Sequence, residues 1–362
     1  TALMGLSVGV YLGTSAVFQI LVGPLSDRIG RRTVSLWALI IFIVVSISCV
    51  YAPNTFVFMC LRALQAIAAC TFVVARAIVR DTTETQASGS KIAYISMGTA
   101  ICPMFGPALG GLMDGWFGWE ANFWFIGGLG LLILVIAYFD LGETVPENTQ
   151  GFRQQFSEYP ELLLSRRFWG YCLASAFGAG AFFAYLGGGP FVGSIVYNLS
   201  PEMLGLYFGA PAIGYFFGNF LSGRFTIRFG IDAMILWGLW IIFAGLSLSM
   251  VCSYLGYGTV ETFFGFMIFV GLGNGLTIPN ATAGMLSVRP HLAGTASGLG
   301  GAMMIAIGAA LSTLAGAFLV PGSNEMPLLM LMWLSSLSGV AVIIYVRQRN
   351  KRLKNLSNTG SS

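Results

Sequence analysis

Two arginines stand where charge is costly. Arg62 and Arg76 lie in one long apolar run, Gln65 follows the first by a helical turn, and Arg76 returns to nearly the same helical face. Arg62 is about eight residues, roughly 12 Å, from the start of that run, which is near the middle of a bilayer. A buried arginine there costs at least ~2.5 kcal/mol, so it needs an acceptor or water. Arg62, Gln65, Val73 and Arg76 therefore mark a stripe that faces the protein interior or a cavity. The chemistry open to it is charge-assisted hydrogen bonding; the plainer alternative is an arginine satisfied by backbone carbonyls. Covalent and metal chemistry have few candidates. His291 is the single histidine, the six cysteines sit at unrelated spacings in apolar runs, and all 14 Asp and Glu fall in loops or near the end of an apolar run. No nucleophile, acid pair or metal cluster converges, so no metal or cofactor is expected, and an enzyme or receptor is a distant alternative.

The elements that must position these residues are membrane helices. Hydrophobic residues make up 56% of the chain, only 9% is charged, and the mean hydropathy is +0.80; soluble domains carry about 25% charged residues. A span needs roughly 20 apolar residues. The 362 residues read as an all-α polytopic protein with eleven spans, at 4–22, 33–52, 54–80, 91–113, 119–141, 168–197, 203–225, 231–253, 261–288, 292–320 and 326–346. Apart from Arg62 and Arg76, every Lys and Arg falls on one side of this layout, and the loops around Pro53, Gly115, Ser200, Gly256 and Gly322 have none. That side is expected to be the cytoplasm, which places the basic tail 347–362 there as an anchor on the lipid bilayer and not as a nucleic-acid site. Along the first run Tyr11, Ser15 and Gln19 recur every four residues on one face, and a polar face within a span points at protein or water. The second run is nearly featureless and is expected to face lipid.

Between these two runs lies a charge-dense stretch, Gly23 to Arg32, with Asp27, Arg28, Gly30, Arg31 and Arg32; four charges in six residues cannot lie in hydrocarbon. It is expected to be a turn at the membrane surface. Gly23, Leu25, Asp27, Arg28, Gly30, Arg31 and Arg32 resemble the loop between the second and third spans of the major facilitator superfamily. Arg62-x-x-Gln65 resembles that superfamily's fourth-span motif, with Ala66 where a glycine is usual. The stretch Arg76 to Asp81 looks like the corresponding part of Bcr/CflA-type drug exporters. Pro103, Gly106, Pro107, Gly110 and Gly111 resemble the fifth-span motif of the superfamily's antiporters; an ordinary small-residue packing seam is the alternative.

The second half echoes the first about 200 residues on: Gly218 to Gly230 repeats the hinge without its Asp, and Phe264-Gly-Phe-Met repeats Phe56-Val-Phe-Met. A period this long fits two parallel-repeat bundles, 1–141 and 168–346, joined by a linker 142–167. The resemblance implies the major facilitator fold of two six-span bundles, with the first span missing here and expected to precede Thr1 with an acid facing Arg62. It implies a monomer in the bacterial inner membrane that exchanges incoming protons for an outgoing drug by alternating access. A proton falling through about 100 mV supplies ~2.3 kcal/mol, or roughly fifty-fold accumulation. Arg62, Gln65 and Arg76 would couple the proton and the hinge would gate. Tyr11, Ser15, Gln19, Tyr185, Asn274, Thr277 and Asn280 are the candidate substrate contacts. Export of an endogenous metabolite would share every one of these motifs.

Overall fold

The computed structural model describes residues 2–83, 91–92, 94–96, 98, 109–110, 113, 116–144, 160–289, 292–320 and 322–359. The elements there are helices: α1 Ala2–Ile29, α2 Arg31–Val50, α3 Thr55–Gln65, α4 Ala69–Thr82, α5 Glu120–Asp140, α6 Arg166–Phe191, α7 Pro201–Phe208, α8 Ala210–Phe229, α9 Ile231–Tyr254, α10 Val260–Val288, α11 Ala293–Phe318 and α12 Met326–Thr359. Eight helical stretches among the described residues are long and apolar enough to cross a membrane.

Local chemistry sets the boundaries. Asn54 caps α3 by accepting from the Val57 amide at 2.9 Å, and Ser165 and Ser200 cap α6 and α7 in the same way. Gly30 (φ 106°) and Gly230 (φ 83°) are each the single residue joining two long helices, a backbone region that L side chains rarely adopt.

The structure adds detail at four places. The hinge is not a loop, because α1 stays helical through Ile29 and only Gly30 breaks it. The run 54–80 contains a 3-10 turn, Ala66–Ala68, between α3 and α4. The run 203–225 is split at Gly209, where Pro211 has no N–H to continue the ladder. The basic residues from Arg347 onward continue α12 as far as Thr359.

The helices form two compact units. One contains α1–α5 and residues 289–306; the other contains α6–α10, residues 307–318 of α11, and α12. The first is centred on Val22, Val34, Ala38, Cys70, Val73 and Val74. In the second, α10 is the buried axis. Gly271 and Gly275 of α10 meet the backbone of α8 at Pro211 and Asn219, while Gly214 and Gly218 of α8 meet Ile268 and Leu272. A Cβ at any of the four would overlap backbone, so this seam can only be glycine. By contrast, α5 exposes Leu131, Leu132, Ile133 and Ile136, a face suited to lipid tails.

Candidate functional site

Arg62 sits at the head of an ordered polar chain in the first unit. Its guanidinium lies 5.1 Å over the Tyr11 ring and donates to Gln65 Oε1. Gln65, only 1% exposed, donates from Nε2 to Ser46 Oγ at 2.8 Å, and Ser46 donates to the Phe42 carbonyl at 2.7 Å. The direction is fixed at every link, since a guanidinium has no acceptor and an amide oxygen no donor. The cation on the Tyr11 face adds a cation–π attraction. Ala66, where the family motif has glycine, is fully buried at the start of the 3-10 turn.

The face on α1 is realised. Ser15 and Gln19 are buried, and Ser15 donates to the Tyr11 carbonyl at 2.7 Å. Gln19 Oε1 fills the space where Gly301 lacks a Cβ, and Arg76 Nη1 lies 3.9 Å from the same point. One stripe of α1 thus meets Arg62 through Tyr11 and approaches Arg76 through Gln19. Ser46 was invisible in the sequence. A lone serine in an apolar run carries no periodic signal, and the second run is not the featureless lipid-facing span expected, because Ser35 and Ser46 are both buried.

The hinge is a charge cluster drawn from four places, with a buried ion pair at its centre and the exposed Asp81 and Glu143 around it. Asp27 and Arg31, each 4% exposed, form an ion pair across one turn. Arg31 Nε reaches Asp81 Oδ2 at the end of α4 at 3.2 Å. Glu143, beyond α5, accepts from the Arg31 and Arg32 amides at 2.8 and 3.3 Å, which caps α2 where Gly30 offers no side chain. Arg32 donates to the Tyr138 carbonyl at 2.8 Å; Arg28 is exposed and Gly23 buried. Asp27 lies past the apolar run of α1. Burial pushes its carboxyl up, and the Arg31 guanidinium draws it partly back. Its Oδ2 has no hydrogen-bond partner. Asp81 and Glu143 are members that the sequence reading missed, since neither falls within the motif.

The candidates of the second unit divide into two pairs. Tyr185 is fully buried, stacks on Phe208 at 4.7 Å and donates to the Phe208 carbonyl at 3.1 Å. Asn280 donates to Ser222 Oγ and the Leu276 carbonyl, both at 2.7 Å, and accepts from Thr226 at 2.9 Å, tying α8 to α10. The polar atoms of this pair are thus engaged by the fold. Asn274 Oδ1 and Thr277 Oγ1 are buried with no hydrogen-bond partner, against Gly178 of α6 and Gly238 of α9. Orphaned buried oxygens are costly, which sets this pair apart from the first. Of the Gly-Pro motif, Gly110 accepts from Asn122 Nδ2 at 3.3 Å; Pro103, Gly106, Pro107 and Gly111 lie outside the described residues.

The comparisons with known proteins agree with this architecture. The chain is 32% identical over 316 residues to the chloramphenicol resistance protein of Pseudomonas aeruginosa, covering 84% of this chain and 73% of that protein. It is 26% identical over 336 residues to the bicyclomycin resistance protein homolog of Haemophilus influenzae, covering 92% and 84%. The fold matches that of the proton:xylose symporter XylE with a TM-score of 0.74 at 14% identity, over 96% of this chain and 86% of that one. The family model described as Major Facilitator Superfamily matches residues 1–313. An all-helical set of described elements, apolar spans and a match over most of the length lead to one conclusion: the chain is a multi-pass membrane protein that belongs to the Major Facilitator Superfamily, a family of transporters and not of enzymes.

Proposed function

We propose that this transporter exports small, largely apolar drugs across the bacterial inner membrane in exchange for protons, working as a monomer by alternating access. The observation that carries the reading is the ordered chain Tyr11–Arg62–Gln65–Ser46, in a protein whose relatives are named for resistance to chloramphenicol and bicyclomycin. A permanent cation held in fixed orientation favours the ionised form of any acid brought beside it, so proton and substrate can compete for one state. Tyr11, Ser15 and Gln19 in the first unit, and Asn274 and Thr277 in the second, supply the polar contacts. Tyr185 and Asn280 shape their surroundings. Asp27 and its partners latch the gate, Gly110 belongs to the antiporter motif, and the halves 1–141 and 168–346 move as bundles about the linker 142–167.

Reconstitution in sealed vesicles with an internal pH-sensitive dye tests this. Adding drug down its gradient should drive an opposed proton movement, and a dye signal indifferent to drug would end the antiport reading. The second reading, export of an endogenous metabolite, shares all the motifs. Susceptibility profiling of an exporter-deficient bacterium carrying the gene separates the two, since a metabolite exporter would leave drug tolerance unchanged. Orientation has its own test. Cysteines placed at Asn54, Ser200 and Ser323 should react with an impermeant thiol reagent from outside intact cells, and one at Ser357 should not.

A further inference from the structure

Helices α8, α9 and α10 frame an apolar groove of about 540 Å³ in the second unit, walled by Leu221, Phe225, Phe229, Trp237, Trp240 and Leu276. Its aromatic wall is continuous, with Phe225 5.9 Å from Phe229 and Phe229 5.0 Å from Trp237. Arg228 places its guanidinium 5.3 Å over the Phe229 ring, so a cation sits on the wall itself. Arg224, one turn earlier, is exposed on the same helix. Among the described residues no acidic side chain lines the groove.

The first unit has the same feature. A groove of about 360 Å³ is lined by Leu21, Leu25, Ile29, Trp37 and Ile41, each 200 positions before Leu221, Phe225, Phe229, Trp237 and Ile241 of the second. Arg28 is the counterpart of Arg228, and among the described residues no acidic side chain lines this groove either. Repetition at one register, with the same tryptophan and the same arginine, separates these grooves from a chance packing gap. The surfaces are exposed, with Trp37 61% and Trp237 44% accessible, and they belong to helices in or beside the bilayer. The neighbour at such a surface is hydrocarbon. Its head group is selected by the charge at the end of the groove, and clustered arginines beside membrane helices select anionic lipid heads.

We propose that the two grooves are paired binding sites for an anionic glycerophospholipid, one acyl chain lying along the aromatic or aliphatic wall and the phosphate held by Arg228 and Arg224 in the second unit and by Arg28 in the first. The second groove is the stronger site, being larger, aromatic and served by two arginines. Each site adjoins its hinge, because Ile29 and Phe229 immediately precede Gly30 and Gly230, so bound lipid bears directly on the two joints.

Native mass spectrometry of the purified protein, titrated with phosphatidylglycerol or with phosphatidylcholine of the same acyl chains, tests the assignment. Phosphatidylglycerol should be retained preferentially. Arg224→Gln with Arg228→Gln should reduce its retention by about fivefold per arginine and leave phosphatidylcholine unchanged. Arg28→Gln should have a smaller effect, and Trp240→Ala should weaken both lipids alike. Equal retention of the two lipids by the unmodified protein would overturn the proposal. So would a preference that survives the double substitution, or a second copy of the chain on the groove in place of lipid.

Discussion

The two hinges share a backbone and differ in what ties them. Gly30 and Gly230 each join two helices through one residue with positive φ. Around Gly30 the ties are charges: Asp27 to Arg31, Arg31 to Asp81, and Glu143 on the first amides of α2. Around Gly230 the position of Asp27 is taken by Ile227, which is 64% exposed. There Asp232 is held by the Tyr171 hydroxyl at 2.7 Å and the Asn350 amide at 2.9 Å. In both halves a residue at or past the end of the last span reaches back to the joint, Glu143 after α5 and Asn350 within α12, at the end of its apolar run. The repeat thus conserves a geometry and changes its chemistry. A joint built on a buried ion pair and charges that depend on it has more to lose, and more to switch, than one made of hydrogen bonds from neutral donors.

Removing Arg31 should break the comparison most severely. Arg31→Gln leaves Asp27 and Asp81 facing each other without their cation, and stripping one partner from a buried pair costs about 3–5 kcal/mol. Asp232→Asn keeps a hydrogen-bonding group in place and should cost about 1 kcal/mol. Chemical unfolding of the two purified variants in detergent would show this gap, and equal losses would mean that the first hinge is not held by its charges.

What the sequence made legible follows from the same contrast. Arg62, Gln65 and the hinge arginines could be found because a charge in an apolar run is expensive and therefore conspicuous. Glu143 could not, because it meets Arg31 across 112 residues and a loop carboxylate looks alike whether it caps a helix or faces water. Asp81 was hidden for the same reason, and Ser46 because a lone serine in an apolar run carries no periodic signal. The spans were legible from hydropathy, but their breaks were not. Pro211 coincides with a break between α7 and α8, whereas Pro279 lies inside an unbroken α10. Packing around each proline decides between these outcomes, and one sequence does not display it. The split of the second-unit candidates into engaged Tyr185 and Asn280 and orphaned Asn274 and Thr277 likewise depends on partners that spacing does not reveal.

The glycines themselves should show a smaller difference. Alanine at either position strains the backbone by about 1–3 kcal/mol. At Gly30 the new Cβ also collides with the Glu143 carboxylate, whereas at Gly230 nothing lies within 4 Å. Gly30→Ala should therefore lower the unfolding midpoint further than Gly230→Ala. Measured against Glu143→Ala alone, so that the lost cap cancels, Gly30→Ala should cost no more than Gly230→Ala costs in the native protein, because the collision is then gone; a larger cost would place its cause elsewhere.

The smallest stability effect, and the sharpest functional one, belongs to Asp27→Asn. Arg31 still has Asp81, 3.2 Å away in the native protein, so no buried cation is abandoned. Because burial raises the folded carboxyl above its free value near 3.8, the charged form is the disfavoured one in the folded protein. Its contribution to stability is therefore present below that value and is lost as pH rises through the folded one. Asparagine removes this slope, so melting measured upward from pH 3.8 should be flatter in the variant. If Asp27 also latches the gate, turnover in vesicles should fall while drug affinity and folding are kept, since the charge acts on the gate and not on the substrate. Ile227→Asp offers the reciprocal experiment: it places an acid one turn before Ile231, where Arg31 has no counterpart, and should neither form a latch nor restore turnover lost at Asp27. An Asp27→Asn protein that transports at the original rate would reduce the first hinge to a joint like the second, charged but not switched.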